Sequence, residues 1–257
     1  MSIDLDVKDG IATVVINRPE VHNALDIEHY AALSDAWKRV RDDGEIRVAI
    51  VTGAGDRAFC AGADIKTFLT RKSEWSDVWQ TQRDQLLNRG LEVWKPIIAA
   101  VNGFCVGGGM TMLLATDIRV ASEHASFGLS EVKRGFIAGN GGTQRILQQI
   151  PYCVGMEMLL TGDAIDARRA KGWGLLNHVV PHGDLMTTAL DYARRIAANA
   201  PLAVQAAKEL AVRSRDVDTN TGLRIEQLMV RILRETEDAK EGPTAFREKR
   251  KPSFRGM

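Results

Sequence analysis

The sequence predicts an α/β fold for this chain of 257 residues. Short apolar runs of the strand type alternate with helical patterns up to about Gly142, and this alternation is typical of the α/β class. Long helical patterns dominate the rest of the chain. We expect residues 1–200 to form an α/β core and residues 201–257 to form a helical extension packed on that core.

The first predicted element is a β-hairpin, since residues 4–8 alternate in polarity, Asp9-Gly10 supplies the turn, and residues 11–16 form the second strand. A helix is then predicted to begin at the cap Asp26 and to end near Gly44, with apolar residues including Tyr30 at helical spacing. Further strands are predicted at 47–52, 97–101, 118–121 and 125–127, and further helices at 110–115, 184–198, 201–212 and 219–238.

Composition excludes several classes of protein. Lys and Arg number 34 and Asp and Glu number 33, so the net charge of +1 gives no support for binding nucleic acid or an acidic membrane surface. The longest aliphatic run, residues 97–101, is too short to cross a membrane. The N-terminus lacks a secretory pattern, and the three separated cysteines favour neither disulfides nor a metal site. We therefore expect a cytoplasmic protein without a metal.

Two glycine-rich turns, residues 59–65 and 102–109, each join an apolar run to a possible helix. Glycine leaves backbone N–H groups approachable there, so one donor from each turn can meet around a single oxygen anion, although tight packing explains the glycines equally well. Residues 53–58 match GxGxxA, but no apolar helix follows them directly, so we predict no nicotinamide site. Glu131, which follows a short predicted strand, is the third candidate element.

These segments resemble the crotonase superfamily of enoyl-CoA hydratases and isomerases from about residue 11 to residue 254. The resemblance implies a crotonase-like spiral of repeated ββα units with a helical C-terminal region, and an acyl-CoA thioester as substrate with no further cofactor. It also implies homotrimers, often paired into homohexamers. The resemblance rests on the two glycine-rich turns and on Asn17-Arg18-Pro19, Asn23-Ala24-Leu25, Phe127-Gly128-Leu129, Gly141-Gly142-Thr143-Gln144-Arg145, Leu160-Thr161-Gly162 and Glu241-Gly242-Pro243.

By this resemblance, an oxyanion hole falls on the backbone N–H groups of Ala63 and Gly108. Proton removal from an acyl thioester, or addition to it, places negative charge on the carbonyl oxygen, and each preorganised donor is worth roughly 3 kcal/mol in comparable sites. Lys66 is expected near a CoA phosphate, or else it is a surface lysine. The remaining contacts expected with substrate or CoA are Ala61, Asp64, Ile65, Leu25 and Asn140.

One departure from the family concerns its two glutamates. Hydratases of this family commonly place one glutamate three residues after the middle glycine of the triple glycine and another in the later loop. Glu131 occupies the later position, but Thr111 occupies the first. Thr111 lies one helical turn after Gly108, so we expect it to face the substrate, where a hydroxyl can orient water but cannot act as a base near neutral pH. Isomerases of the family manage with one carboxylate.

The favoured function is therefore an enoyl-CoA hydratase/isomerase in which Glu131 transfers the proton. Hydroxycinnamoyl-CoA hydratase-lyases are an alternative, because they too have a small hydroxyl residue at the position of Thr111. They place a functional tyrosine in the C-terminal helices, however, and this chain has no tyrosine after Tyr192. The other alternative is a homologue that binds acyl-CoA but has lost efficient catalysis.

Overall fold

A computed structural model describes residues 3–68 and 85–257. The chain begins with the predicted hairpin, in which β1 (Ile3–Lys8) and β2 (Ile11–Ile16) pair in antiparallel register. Helix α1 (Ile27–Asp42) follows, and its predicted cap is confirmed because the Asp26 side chain accepts a hydrogen bond from the His29 amide. The hairpin and α1 thus form as local sequence signals predict.

A repeated ββα pattern builds the body of the fold. In each repeat the first strand joins a six-stranded sheet and the second joins a four-stranded sheet. The order of the larger sheet is β1, β2, β3 (Val48–Gly53), β5 (Ile97–Val101), β7 (Ile118–Ser122) and β10 (His178–Val180). The order of the smaller sheet is β4 (Ala58–Cys60), β6 (Phe104–Val106), β8 (Ser126–Gly128) and β9 (Ile165–Asp166). The strands β3, β5 and β7 pair in parallel, as do β4, β6 and β8. Helices α2 (Ile65–Phe68) and α3 (Gly108–Leu113) follow β4 and β6.

The predicted α/β class and the spiral of ββα units are therefore confirmed. The two glycine-rich turns are shorter than the predicted ranges 59–65 and 102–109, because each range overlaps a three-residue strand, β4 or β6, before the glycines. These two strands pair with each other, so the turns that follow them start side by side.

Helices dominate the remainder of the chain, as predicted. The prediction of one helix over residues 219–238 was wrong at its end, because that helix stops at Arg234 and the Thr236 side chain caps a new one. The elements are α4 (Gly142–Gln149), α5 (Tyr152–Thr161), β9 (Ile165–Asp166), α6 (Ala167–Gly172), β10 (His178–Val180), α7 (Leu185–Ala197), α8 (Pro201–Arg213), α9 (Thr219–Arg234) and α10 (Glu237–Arg247).

The C-terminal segment is attached to the body by specific polar contacts. Arg47 donates hydrogen bonds to the carbonyl oxygens of Ala197 and Phe254, at 2.9 and 2.7 Å. Lys208 on α8 forms an ion pair with Asp117 at 2.7 Å. The division of the chain at residue 200 stays a prediction.

The core lies between the sheets and α1. Strands β3 and β5 are buried along their whole length, and Trp37, Phe59 and Phe127 are completely buried. Across the two described ranges, no helix has both the length and the apolarity needed to cross a membrane.

Candidate active site

The two glycine-rich turns meet in direct backbone contact. Gly62 has φ +88°, and a Cβ placed on it would lie 2.7 Å from the Gly108 nitrogen. A Cβ placed on Gly108 would lie 3.3 Å from the Gly62 Cα and 3.6 Å from the Ala63 nitrogen. A side chain on Gly62 would separate the turns, so glycine at this position allows the amides of Ala63 and Gly108 to lie close together.

Local hydrogen bonding leaves both of these amides available. Leu25 forms a parallel bridge with Ala63, in which the Leu25 amide donates to the Gly62 carbonyl and the Asp64 amide donates to the Leu25 carbonyl, each at 2.8 Å. Gly108 is the first residue of α3, where helical N–H groups have no partner within the helix. Within residues 3–68 and 85–257, neither amide has an acceptor, and both residues are only half-buried.

The start of α3 is held against both neighbouring strands. The Gly107 amide donates to the Gly128 carbonyl at 3.0 Å, which ties the helix start to the end of β8. A Cβ on Gly109 would lie only 2.2 Å from the carbonyl oxygen of Cys60, so no side chain would fit between β4 and α3 at this position. These contacts fix the position of the Gly108 amide.

Glu131 lies beside these turns. It was expected in a loop, but it belongs to a short 3-10 helix, Ser130–Arg134, directly after β8. Its Oε1 lies 3.7 Å from the position that a Cβ on Gly107 would take, and its Oε2 is buried without a partner among the described residues. Burial raises the pKa of the Glu131 carboxyl, although its own backbone hydrogen bond and the charge of Arg134 act in the opposite direction.

Thr111 lies in α3, three residues after Gly108. It is 1% exposed, and its hydroxyl donates to the Gly108 carbonyl at 3.0 Å and accepts from the Asn88 side-chain amide at 2.9 Å. Its methyl group lies against Gly142. Direct contact of Thr111 with substrate stays a prediction, and its observed hydrogen bonds support the helix that carries Gly108.

Leu25 and Asp64 flank the Ala63 amide. The Leu25 side chain is 2% exposed, so in this structure Leu25 contributes through its backbone bridge to Ala63. The Asp64 carboxylate lies 3.6 Å from the Arg18 guanidinium, which also pairs with Asp26 at 3.2 Å. Arg18 therefore links the start of α1 to the Ala63 turn.

The other predicted substrate contacts are distributed around the site. The Ala61 amide donates to the His22 carbonyl, while Ile65 and Lys66 are exposed on α2. Asn140, with φ +52°, lies in the loop before α4, and its carbonyl accepts from Arg145 at 2.9 Å. Contact of these residues with CoA or substrate stays a prediction.

The structure adds Tyr30, which the sequence pattern placed on the apolar face of α1. Tyr30 lies in the first turn of α1, and its hydroxyl is 3.1 Å from the position of a Cβ on Gly108. Burial raises the pKa of the Tyr30 phenol; the nearby Cys60 and Glu131 act in the same direction, whereas Arg89 opposes them. The sequence signal that could have identified Tyr30 is a hydroxyl-bearing side chain on the apolar face of a predicted helix.

Comparison with known proteins establishes the family. The sequence model of the enoyl-CoA hydratase/isomerase family matches residues 6–257. The chain therefore belongs to this family. Its structure is similar to that of an enoyl-CoA hydratase from Bacillus anthracis, with TM-score 0.93, 36% sequence identity and full coverage of both chains.

Two curated relatives also match over most of their length. The chain is 45% identical to the (E)-benzylidenesuccinyl-CoA hydratase of Thauera aromatica, with 100% of both chains covered. It is 42% identical to the enoyl-CoA hydratase EchA19 of Mycobacterium tuberculosis, covering 94% of this chain and 91% of that protein.

Proposed function

We propose that this chain is an enoyl-CoA hydratase that binds the thioester oxygen between the amides of Ala63 and Gly108. The observation that carries the proposal is the placement of two half-buried amides, without acceptors in the described ranges, beside the half-buried carboxyl of Glu131. Such an arrangement suits a reaction that develops negative charge on one oxygen and moves a proton close to it.

The two amides stabilise the enolate. When water adds to C3 of an enoyl thioester, the electron pair of the double bond moves through C2 onto the thioester oxygen. Ala63 and Gly108 donate hydrogen bonds to that oxygen, and their backbone positions are fixed before the reaction by the contacts of Gly62 and Gly107. Each donor is worth roughly 3 kcal/mol of transition-state stabilisation in comparable sites.

Glu131 performs both proton transfers. Its carboxylate takes a proton from water as the water oxygen bonds to C3, and it returns that proton to C2 as the enolate collapses. The carboxylate is regenerated, and the product is a 3-hydroxyacyl thioester. Because Thr111 stands where many hydratases have a second glutamate, a single carboxylate must complete this cycle.

Hydration is favoured over the alternatives by the relatives. Proteins that match nearly the full chain are named as hydratases, and a carnitinyl-CoA dehydratase of Proteus mirabilis is 36% identical over 99% of this chain. Isomerisation would use the same enolate, with Glu131 moving a proton from C2 to C4. The hydratase-lyase alternative is not favoured by these comparisons.

We also propose that the chain assembles into trimers or hexamers. Helix α9 has no buried residue in the single chain, and it exposes large apolar side chains along its length. Covering that surface with a neighbouring subunit would remove it from water. The exposed residues are Leu223, Leu228, Val230 and Ile232.

Side-by-side turnover of crotonyl-CoA, a 3-enoyl-CoA and feruloyl-CoA tests the function. We expect hydration of an enoyl-CoA, and we expect Glu131→Gln to lower kcat by about 10²- to 10⁴-fold while acyl-CoA still binds. Glu123→Gln is the matched control, because Glu123 is exposed and precedes Glu131 by only eight positions in the same region. Equal kcat for Glu131→Gln and wild type would overturn the mechanism.

A further inference from the structure

We propose that the Tyr30 hydroxyl donates a third hydrogen bond to the thioester oxygen, beside the Ala63 and Gly108 amides. This inference deepens the proposed function and rests on it, because it assigns a further catalytic residue to the same site. It arises from the position of the Tyr30 hydroxyl, whose ring packs against the core but whose oxygen lies beside Gly108.

Three donors converge on one small region. The point where a Cβ would project from Gly108 lies 3.1 Å from the Tyr30 oxygen and 3.6 Å from the Ala63 nitrogen. These distances place the Tyr30 oxygen and the Ala63 nitrogen around the same face of Gly108, which has no side chain to block a ligand that approaches that face. Helix α1 fixes the Tyr30 backbone, since its amide donates to the carbonyl of the capping residue Asp26 at 3.0 Å.

The Tyr30 hydroxyl has no hydrogen-bond partner within the described part of the chain, although the side chain packs against the apolar core. Unlike the Glu131 Oε2, this oxygen is not one of the described polar atoms that are buried without a partner, so a ligand can reach it. Tyr30 is half-buried, as are Ala63, Gly108 and Glu131, so a ligand can reach all four residues. A thioester oxygen supplies the acceptor that the protein does not.

The electrostatic setting keeps this hydroxyl a donor. Burial raises the pKa of the Tyr30 phenol, and the nearby Glu131 carboxylate adds to the effect. The phenol therefore keeps its proton at neutral pH and can act as a donor. A neutral donor that faces the thioester oxygen gains strength as negative charge develops there.

Replacement of Tyr30 by phenylalanine removes the donor and keeps the ring. We expect Tyr30→Phe to lower kcat at least about tenfold on the best enoyl-CoA. With an unreactive acyl-CoA bound, the infrared band of the thioester carbonyl should move toward its frequency in free acyl-CoA. Tyr192→Phe is the matched control, because its hydroxyl bonds to His178 at 2.8 Å in an exposed position. It should leave kcat and the carbonyl band unchanged.

Two results would overturn the inference. The first is an unchanged carbonyl band together with wild-type kcat in Tyr30→Phe. The second is a lower kcat with an unchanged band and a shifted pH profile, which would show that Tyr30 acts through Glu131. If wild type hydrates no enoyl-CoA, the proposed function fails, yet the carbonyl band of bound acyl-CoA still reports on the third donor. Failure to bind acyl-CoA would overturn both proposals.

Discussion

Replacing Gly62 by alanine should disable the site by moving backbone rather than by removing a functional group. The added methyl would lie 2.7 Å from the Gly108 nitrogen and 3.2 Å from the Val106 carbonyl oxygen. Both neighbours are backbone atoms that secondary structure holds in place, so they cannot rotate away as a flexible side chain would. Relief requires the turn carrying Ala63 to separate from the start of α3.

Two independent costs lower the free energy of unfolding of Gly62→Ala. Gly62 has φ +88°, and a non-glycine residue in left-handed conformations costs about 1–2 kcal/mol. Overpacking against fixed neighbours costs typically about 1–3 kcal/mol. Displacement of reacting groups by about 1 Å can cost about 10²-fold in rate, so we expect kcat on an enoyl-CoA to fall by about that factor.

Steady-state hydration and urea unfolding of Gly62→Ala measure these effects together. Gly44→Ala is the matched control, because a Cβ there would meet nothing within 4 Å and Gly44 has no positive φ. It should retain wild-type kcat and lose no stability. Wild-type kcat in Gly62→Ala would refute the reasoning that close approach of the two turns creates the site.

Three further predictions concern the polar groups around the turns. Burial raises the pKa of Glu131, and its ionised form is the base. We therefore expect kcat to fall as pH decreases through a value above the ordinary pKa of 4.5, which a pH–rate profile measures. A midpoint below 4.5 would contradict this prediction. Glu131→Gln should unfold about 2–4 °C higher at neutral pH, because a partnerless buried carboxylate costs about 1 kcal/mol. The raised folded-state pKa means that this gain should shrink as pH falls through that pKa toward 4.5, and a lower melting temperature in the variant at neutral pH would count against the assignment. Thr111→Ala should lower kcat much less than Glu131→Gln does. It should also leave the Asn88 amide unpaired and lower the free energy of unfolding by about 1 kcal/mol. A larger loss of kcat in Thr111→Ala would show that the proton transfer is wrongly assigned to Glu131.

Elements with local signals were predictable from the sequence. The hairpin has alternating strands around Asp9-Gly10, and α1 has a capping Asp26, so both follow from neighbouring residues. The repeat of ββα units was not visible as a sequence repeat, because the repeats share backbone geometry without obvious sequence similarity. Strands β4 and β6 have three residues each and run into glycine-rich turns, which leaves no alternation to detect.

The candidate site depended more on tertiary contacts. Glycine content identified the two turns, but the choice of Ala63 and Gly108 came from the family resemblance. Their proximity arises from the pairing of β4 with β6 and from the contact at Gly62. Tyr30 has the spacing of a core residue, so its hydroxyl could be assigned to the site only once α1 was placed beside Gly108. The Asn88 partner of Thr111 lies 23 positions away and has no motif.

A crystal structure of the protein with an unreactive acyl-CoA tests the central claim most directly. We predict that the thioester oxygen lies 2.7–3.1 Å, the usual range for such donors, from the nitrogens of both Ala63 and Gly108. The Glu131 carboxylate should lie within about 3–3.5 Å of C2 or of a water beside C3. A thioester oxygen bound away from both amides, or a Glu131 carboxylate turned away from C2 and C3, would contradict the account.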